Sequence, residues 1–340
     1  MKRTSAANLL LLLLALVGSL AVAWPRQRGS GGRNIVRAGA HEATRTRVPL
    51  AGGGFGVADA SGYLVPLRDY RRIVSTNLVT DRLLVELCEP TRILAISTAA
   101  AARKRDGYRY RGMATIDGFG APEAMVALRP DLVLTNSFGT PGSAARLRGA
   151  GIEVFDLGEL HGESSLGTIV ASLGLLLGDE LRAQRLWHGF ASRMRALPAR
   201  LGARPPKRAL FLSTLGPDLQ GGTTGTSYHD IMTAAGLADA AAGSYRDWPA
   251  YAPEQVLALA PEIIVTRAGF AAGICAFPGM DHVGPCQEPG RIIELDGELL
   301  DEPGLAMLEA AEELFSVVYA DQSRSDNSGP APAGQRARER

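Results

Sequence analysis

The stretch Ala-Pro-Glu-Ala-Met-Val-Ala-Leu-Arg-Pro-Asp-Leu-Val-Leu-Thr, residues 121–135, returns in altered form over residues 252–266 as Ala-Pro-Glu-Gln-Val-Leu-Ala-Leu-Ala-Pro-Glu-Ile-Ile-Val-Thr. The offset is 252 − 121 = 131 residues throughout, without a gap, and seven of the fifteen positions are identical. Each copy predicts a short helix followed at once by a buried strand. A chain that repeats such a unit is expected to fold into two similar lobes.

The two copies share the signals that start and stop a helix. Pro122 and Pro253 suit the first helical turn, where the missing amide has no partner to lose. Glu123 and Glu254 come next, and a negative charge is favourable near a helix N-terminus. A second proline, about two turns later, ends each helix.

The paired glutamates have two interpretations. One is that Glu123 and Glu254 are only helix N-terminal charges, worth about 0.3–1 kcal/mol each. The other starts from their matched positions in two similar lobes, which would put two carboxylates at corresponding places on one surface. Such a surface suits docking onto a two-fold symmetric partner.

Working outward from the repeat, strand-like and helix-like segments alternate. Continuous apolar runs of this kind suit strands of a parallel sheet that helices cover on both faces. The runs lie at residues 72–75, 92–96, 131–135, 152–155, 208–212, 262–265 and 291–295. Between the two groups, Asp179 begins a long amphipathic helix that ends near Pro198. We therefore predict an α/β fold of two Rossmann-like lobes joined by one long backbone helix.

The predicted organisation has six segments. The two lobes are expected at residues 63–172 and 205–320, with the connecting helix at residues 173–204 between them. Residues 24–62 are predicted to be a loosely ordered lead-in segment, because residues 24–56 are rich in Gly and Arg without periodicity. Residues 321–340 have almost no apolar content and are predicted to be a disordered tail.

The first 23 residues have the pattern of a secretory signal peptide. Lys2 and Arg3 precede an uncharged run from Leu9 to Ala23, which ends in the small-x-small sequence Ala-Val-Ala. An uncleaved anchor is the alternative, although a membrane span needs roughly 20 apolar residues and this run is shorter. No Cys follows the run, so we expect a periplasmic protein that is not a lipoprotein.

Composition narrows the class of protein. The chain has 340 residues, of which 46% are hydrophobic and 21% charged, with a formal net charge of +1. That length is enough for two ordinary domains, and the balanced charge does not favour a nucleic-acid partner. We find no nucleophile motif and no cofactor fingerprint, so an enzyme is not expected. We expect a monomer.

The three cysteines suggest one bridge. Cys275 and Cys286 lie in one Gly- and Pro-rich loop and could close a small ring in an oxidising compartment, worth about 3 kcal/mol in the loop-entropy description. A zinc site that also uses His282 is the alternative. Cys88 lies in an apolar stretch and is predicted to be a buried thiol.

With its export signal, two lobes, connecting helix and paired Pro-Glu helix starts, the chain resembles the class III periplasmic binding proteins for ferric siderophores, haem and cobalamin. The resemblance covers roughly residues 63–321, and residues 248–258 are similar to the second lobe of the cobalamin-binding members. It implies an ABC importer permease dimer as partner, with Glu123 and Glu254 contacting arginines on its two subunits. A chelatase-like enzyme on a similar two-lobed scaffold is the alternative.

The resemblance also implies a ligand site between the lobes, near strand C-termini. Broad aromatic surfaces and a few cations suit a flat macrocycle or metal chelate, and no intrinsic cofactor is expected. The aromatic and basic candidates are Tyr108, Arg109, Tyr110, Trp248 and Tyr251. Thr76 and Asn77, in the turn after the first strand, and Tyr228, at the start of a second-lobe helix, are candidates because of their places in the fold. Free Zn²⁺ or Mn²⁺ is disfavoured, because the five His are scattered.

The identity of the chelate stays open between three classes. In the cobalamin-binding members a ligand-contacting Trp corresponds to Trp248, but residues 297–300 lack the expected Arg and no Cys flanks Gly236. A ferric siderophore is therefore at least as well supported as cobalamin. Haem is a third candidate, with Tyr108 or Tyr110 as its iron ligand.

Overall fold

The structure, a computed structural model, describes residues 47–117, 122–136, 142–215 and 218–319. The first element in this part of the chain is a small antiparallel sheet. Its strands are β1 (Val48–Pro49), β2 (Phe55–Ala58) and β3 (Leu64–Pro66). Val57 and Val65 face each other across the sheet and are fully buried against the main core. Residues 47–62 of the segment expected to be loosely ordered therefore contain two regular strands. Strands of two to four residues are too short to show periodicity in the sequence.

The first lobe is a five-stranded parallel sheet with strand order β6-β5-β4-β7-β8. Its strands are β4 (Ile73–Ser75), β5 (Ile93–Ser97), β6 (Thr115–Ile116), β7 (Leu132–Thr135) and β8 (Val154–Asp156). Its helices are α1 (Leu78–Leu87), α2 (Thr98–Ala101), α3 (Pro122–Leu128) and α4 (Ser143–Gly149). The central strands are buried along their whole length, as their unbroken apolar sequences predict.

The connection between the lobes contains two long helices rather than one. α5 (Glu163–Leu177) ends at Gly178, which has a left-handed φ of 79°, and α6 (Glu180–Ala196) starts beyond the N-cap Asp179. A short 3₁₀ turn at Pro198–Leu201 follows. The helix predicted to begin at Asp179 is observed as α6. The connecting segment predicted at residues 173–204 is not one continuous helix, because Gly178 ends α5 within it.

The second lobe is a mixed six-stranded sheet with order β12-β10-β9-β13-β14, in which β11 pairs with the start of β9. The strands are β9 (Arg208–Leu215), β10 (Asp218–Gly221), β11 (Ala238–Asp239), β12 (Ala250–Tyr251), β13 (Ile263–Arg267) and β14 (Ile292–Leu295). The helices are α7 (Ser227–Ala234), α8 (Pro253–Leu259), α9 (Ala271–Cys275), α10 (Gly284–Gln287), α11 (Gly297–Leu300) and α12 (Ala306–Tyr319).

The sequence repeat has the same structure in both lobes. The pair α3–β7 corresponds to α8–β13, and both helices begin at the proline and end two residues before the next one. The residue after each helix has a left-handed backbone, with φ of 50° at Arg129 and 44° at Ala260. Met125 and Val256 occupy equivalent positions and are both buried. The repeat is therefore a structural unit, present once in each lobe.

A buried ion network joins the two lobes. Arg82 on α1 is 7% exposed. Its guanidinium lies 3.5 Å from Glu302 Oε2 and 3.8 Å from Asp106 Oδ2, and also pairs with Glu309 on α12. Glu302 and Glu309 belong to the second lobe and Asp106 to the first. Because a charge this deeply buried is stable only when paired, Arg82 ties the lobes together.

A second set of contacts continues this interface on the surface side. The backbone amides of Lys104 and Arg105 both donate to the Glu298 carboxylate at 2.9 Å. The Arg105 guanidinium reaches Glu313 at 3.2 Å and Asp296 at 3.5 Å. One loop of the first lobe is thus held by four acidic side chains of the second lobe: Glu298, Asp296, Glu309 and Glu313.

Burial of Glu302 predicts a pH-dependent stability. Burial raises the pKa of its carboxyl from 4.5 to about 7, although Arg82 acts in the opposite direction. Between these values the folded chain binds more protons than the unfolded chain, so the free energy of unfolding falls as the pH rises from about 5 to about 7. At one pKa unit per roughly 1.4 kcal/mol, the decrease from this residue is at most about 3 kcal/mol.

Urea titrations at pH 5, 6, 7 and 8 would measure this decrease, with Glu302→Gln as the comparison. Glutamine has a similar shape and does not titrate, so the variant is expected to show a shallower pH profile over this range. Parallel profiles for the two proteins would contradict the assignment to Glu302.

Three predicted segments at the two ends of the chain fall outside the part that the structure describes. The signal peptide at residues 1–23, the first part of the lead-in and the tail at residues 321–340 lie outside the described residues. Among the helices that are described, none is both long enough and apolar enough to cross a membrane.

Candidate functional site

A cleft with a volume of about 400 Å³ lies between the two lobes. This volume is within the range of roughly 300–1,000 Å³ that is usual for small-molecule sites. Residues of both lobes and of the segment before α5 line it. The cleft is therefore the candidate ligand site that the two-lobed organisation predicts.

The wall from the first lobe is built from the ends of its parallel strands. Thr76 and Asn77 follow β4, Thr98 follows β5, Asp117 follows β6 and Asn136 follows β7, and all five line the cleft. Parallel strands place their carboxyl ends at one edge of the sheet, which is where ligands bind in open α/β folds. The predicted contacts Thr76 and Asn77 are both at this edge.

Local hydrogen bonds hold the two predicted polar residues in place. The Thr76 hydroxyl donates to Thr135 Oγ1 at 3.0 Å, which links the ends of β4 and β7. Asn77 is the N-cap of α1, and its Oδ1 accepts from the backbone amide of Thr80 at 3.1 Å. Both side chains therefore have fixed positions at the mouth of the cleft.

The wall from the second lobe is aromatic. The ring of Tyr228 stacks on Phe211, with centroids 3.6 Å apart and planes 7° apart. Trp248 meets Tyr228 edge to face at 5.2 Å and is 45% exposed. A Cβ at Gly222 would lie 2.4 Å from Tyr228 Cδ2, so only glycine leaves room for this ring. Trp248 and Tyr228, both predicted, give the cleft a broad apolar face.

Two loops position Trp248 through backbone hydrogen bonds. The amide of Asp247 donates to the Thr224 carbonyl at 2.9 Å, and the amide of Thr223 donates to the Asp247 carbonyl at 3.1 Å. Asp247 has a φ of 57°, an uncommon left-handed conformation for a residue with a side chain. Gly225 has a φ of 98°, a left-handed conformation that favours glycine. The exposed indole is thus held by its surroundings.

Among the residues that the structure describes, the charged side chains that line the cleft are Asp117, Glu159 and Asp301. Glu159 precedes α5 and lies 3.8 Å from the ring of His161. Asp301 makes two hydrogen bonds with Arg267, one of them 2.8 Å long. Burial raises the pKa of the Tyr228 phenol to about 12, so that the hydroxyl stays protonated at neutral pH.

Four predicted ligand contacts do not line the cleft. Tyr110 is 3% exposed and packs against Ile96 and Ala100 in the first lobe. Tyr251 is 5% exposed and lies in the core of the second lobe, with its ring 5.0 Å from that of Tyr245. The apolar rings of both residues are used in packing, so the expectation that they face a ligand is corrected.

Tyr108 and Arg109 form a separate pair on the surface. Tyr108 is 59% exposed, and the Arg109 guanidinium lies 5.8 Å from the centre of its ring. Arg109 also contacts Glu86 on α1 at 3.3 Å. The 3₁₀ turn Gly107–Tyr110 therefore directs the cluster towards α1 and solvent rather than into the cleft.

Several lining residues were not predicted. Asn136 comes directly after the predicted strand at residues 131–135, so the rule that selected Thr76 and Asn77 would also have selected it. Asp117 follows β6, which has only two residues and was not predicted as a strand. Leu300 is the last residue of α11, and Asp301 and Pro303 lie in the loop between α11 and α12; no pattern in this stretch of sequence marks a ligand contact.

Cys275 and Cys286 form a disulfide bond across the loop that joins α9 and α10. The sequence predicts this bridge, with a zinc site that also uses His282 as the alternative. No cluster of His, Cys, Asp or Glu able to hold a metal ion occurs among the described residues. Cys88 is buried with a free thiol, as predicted.

The two repeat glutamates are both exposed at the starts of α3 and α8. No ion pair of Glu123 or Glu254 is present within the described residues. Val126 and Leu257 occupy the same position of the repeat, three residues further on, and are 44% and 49% exposed. Each lobe therefore presents an acidic side chain and an exposed apolar one on its repeat helix.

The fold and the cleft define a two-lobed binding protein. Residues 73–313 match the periplasmic binding protein family, which is a family of solute-binding proteins rather than enzymes. The chain belongs to the periplasmic binding protein family. The fold class predicted from the sequence, that of class III periplasmic binding proteins, is thereby confirmed.

One similar sequence is an uncharacterized ABC transporter substrate-binding lipoprotein, YvrC, of Bacillus subtilis (strain 168). The two are 25% identical over 207 residues, which is 58% of this chain. The match spans 65% of the length of YvrC, less than two thirds of that relative.

Solved structures of binding proteins share the fold. A possible iron-binding periplasmic solute-binding protein from Staphylococcus epidermidis ATCC 12228 superposes with a TM-score of 0.65 at 18% identity, over 74% of this chain and 100% of that one. The haem-binding protein RhuT from Roseiflexus sp. RS-1 gives 0.62 at 23% identity, over 74% and 98%. The vitamin B12-binding protein BtuF of Vibrio cholerae gives 0.58 at 18% identity, over 74% and 98%.

Proposed function

We propose that this protein is the substrate-binding component of an ABC importer, and that it carries a metal chelate in the cleft between its lobes. The observation that carries the proposal is the pairing of an aromatic wall, Trp248 and Tyr228, with polar side chains at the ends of parallel strands. Aromatic faces bury a large planar or macrocyclic surface, and a few polar groups orient it.

The names of the relatives support this class of ligand. The proteins of similar fold are described as binding iron, haem or vitamin B12, and the similar Bacillus protein is named as a substrate-binding component of an ABC transporter. A ferric siderophore or cobalamin is favoured over haem, since neither Tyr108 nor Tyr110, the proposed iron ligands, lines the cleft.

Delivery to the permease is proposed to use the repeat helices. Glu123 and Glu254 are exposed at matched positions of two similar lobes, which is the arrangement that a two-fold symmetric permease dimer would recognise. Val126 and Leu257 lie beside them and are also exposed. Acidic and apolar contacts would therefore be made together, once on each permease subunit.

The location and assembly follow from the same proposal. An importer component must be exported, which agrees with the signal peptide expected at residues 1–23. We propose a periplasmic monomer with two partners, the chelate and the permease dimer, and without a nucleic-acid partner.

Removal of the exposed indole should weaken ligand binding. The change Trp248→Ala removes the aromatic face at the cleft and leaves Tyr228 without its edge-to-face neighbour. We expect a loss of about 1–3 kcal/mol of binding free energy, as for other aromatic anchors. Titration calorimetry with cyanocobalamin and with a ferric hydroxamate siderophore would measure the dissociation constants.

Tyr108→Ala is the matched control for this experiment, because Tyr108 is also an exposed aromatic residue but does not line the cleft. Its dissociation constants should equal those of the wild type. Equal affinities for Trp248→Ala and the wild type would exclude Trp248 from the site.

A further inference from the structure

Asp239, in the short strand β11, holds two segments of the second lobe with one carboxylate oxygen. Its Oδ2 accepts from the hydroxyl of Thr223 at 2.7 Å and from Nδ1 of His229, also at 2.7 Å. Its Oδ1 accepts from the backbone amide of Ala241 at 2.9 Å. The Asp239 side chain is 1% exposed, so protein donors take the place of water around it. We call Thr223, Asp239 and His229 the carboxylate clamp.

The first segment that the clamp holds leads to Trp248. Three backbone hydrogen bonds of 2.8–3.1 Å join residues 247–249 to the turn at residues 221–224. Thr223 belongs to this turn and is fully buried. Because Asp239 accepts from the Thr223 hydroxyl, it fixes the turn against which the backbone of Trp248 lies.

The second segment is the start of α7, which carries Tyr228. The Thr223 carbonyl accepts from the amide and the hydroxyl of Thr226, at 2.9 and 2.8 Å, and so begins the turn into this helix. His229, the residue after Tyr228, is held by Asp239. The clamp therefore fixes the backbone on both sides of Tyr228.

The bond between Asp239 and His229 is charge-assisted. A carboxylate only accepts hydrogen bonds, so Nδ1 of His229 carries a hydrogen whether the ring is neutral or protonated. The hydrogen bond to Asp239 raises the pKa of His229 above its usual value, and the charge of Asp230 adds to the rise, whereas partial burial of the ring lowers it. Hydrogen bonds to charged groups are about twice as strong as neutral ones, which suits a clamp.

The two segments meet at the aromatic corner of the cleft, formed by Trp248 and Tyr228. Their rings contact edge to face, with centroids 5.2 Å apart. Gly222 lies against both rings, since a Cβ there would be 2.4 Å from Tyr228 Cδ2 and 3.3 Å from Trp248 Cζ3. None of the three clamp residues lines the cleft. The clamp therefore acts on the corner from outside, through the backbone that carries the two rings.

We propose that the carboxylate clamp pre-organises the aromatic corner for the ligand, with Asp239 as its central positioning residue. This inference rests on the proposed function and concerns the affinity of the same site. A side chain that is already ordered loses less conformational entropy when a ligand binds. Without the clamp, the rings of Trp248 and Tyr228 would have to be ordered at the moment of binding, and the affinity for a chelate that contacts them would fall.

Thr223→Val is the most direct test, because valine has a similar shape and removes only the hydroxyl that donates to Asp239. Titration calorimetry of the full chain with cyanocobalamin and with ferrioxamine B, a ferric hydroxamate, should show a dissociation constant about three- to tenfold higher than that of the wild type. Thr266→Val is the matched control, since the Thr266 hydroxyl is also buried in the second lobe but makes none of the clamp bonds. Its dissociation constants should equal those of the wild type.

His229 offers a pair of variants that separates positioning from a general loss of structure. The side-chain amide of His229→Asn can place a donor near the position of Nδ1, whereas His229→Leu cannot donate. We expect His229→Asn to keep most of the wild-type affinity and His229→Leu to lose about three- to tenfold. Equal affinities of the two variants would contradict the role given to the bond with Asp239.

A measurement without ligand separates the inference from the proposed function. The chain has three tryptophans, and in fluorotryptophan-labelled protein the fluorine resonance of residue 248 is the one that Trp248→Phe lacks. This resonance should be a single narrow line in the wild type and in Thr266→Val, and broadened or split in Thr223→Val.

Unchanged dissociation constants in Thr223→Val would overturn the inference and leave the proposed function standing. If neither chelate binds the wild type, the proposed function fails, and the fluorine resonance then decides the clamp by itself. Broadening in Thr223→Val would support the positioning of Trp248 by Asp239, and an unchanged line would refute it.

Discussion

Reversal of both repeat glutamates, Glu123→Lys together with Glu254→Lys, is expected to abolish uptake of the chelate and leave its affinity for the purified protein unchanged. Each lysine would present a cation to the basic surface that the two glutamates are proposed to meet. Like charges at a close interface cost several kcal/mol, and here the cost would occur twice. Radiolabelled chelate uptake by cells with the importer would measure the effect.

The structure gives a reason to expect that the two residues are free for this role. Both are exposed, at the starts of helices of the same length, and neither has an ion-pair partner within the described residues. Exposed apolar side chains follow them, 44% exposed at Val126 and 49% at Leu257. Each lobe thus exposes an acidic side chain next to an apolar one. Surfaces that combine exposed apolar and charged groups in this way are typical of protein interfaces.

Glu288→Lys combined with Glu89→Lys is the control for this experiment, because both residues are exposed acids outside the repeat. Transport should continue at the wild-type rate in this control. Normal uptake by the repeat variant would exclude Glu123 and Glu254 from docking, whereas a loss of ligand affinity would show that the change acts on the cleft instead.

Arg82→Ala is expected to produce the largest loss of stability. The change leaves the Glu302 carboxylate, which is 2% exposed, without its ion-pair partner, while Asp106 keeps its pair with Arg103 at 2.5 Å. Loss of one member of a buried ion pair costs about 3–5 kcal/mol. The cost should be greatest near pH 8, where the Glu302 carboxyl with its pKa of about 7 is ionised, and smaller near pH 5. Urea denaturation at the two pH values would measure it.

Arg193→Ala is the matched control, since Arg193 also pairs with a glutamate of α12, at 2.7 Å from Glu312, but is 62% exposed. A surface pair of this kind contributes about 0–1 kcal/mol. A similar loss in the two variants would contradict the importance assigned to burial of the Arg82 network.

The lobes could be predicted because their strands are buried on both faces. Parallel strands such as β7 and β13 are continuous apolar runs, which the sequence displays directly. The repeat added the two-fold organisation, since Glu123 and Glu254 stand at the same position of each copy. The first sheet could not be predicted, because β1 and β3 have only two and three residues.

The cleft could be predicted only in part, for a different reason. Thr76 and Asn77 follow strands and Trp248 precedes the repeat, so each is marked by its place in the chain. Tyr110 and Tyr251 are of the same residue type as Tyr228, which lines the cleft, but packing inside the lobes buries them. Tyr110 lies in a 3₁₀ turn and Tyr251 in the two-residue strand β12. In elements this short, tertiary packing decides whether a side chain faces the core or the cleft, and residue type and spacing do not show it.

Capture of an intact metal chelate between the lobes is the central claim, and native mass spectrometry tests it most directly. The chain would be mixed with ferrioxamine B, cyanocobalamin, ferric enterobactin and haemin, and separately with the metal-free chelators and with Fe³⁺ alone. We predict one intact chelate per chain, and loss of that complex in Trp248→Ala. Binding of Fe³⁺ without a chelator, or no complex with any of the chelates, would contradict the account.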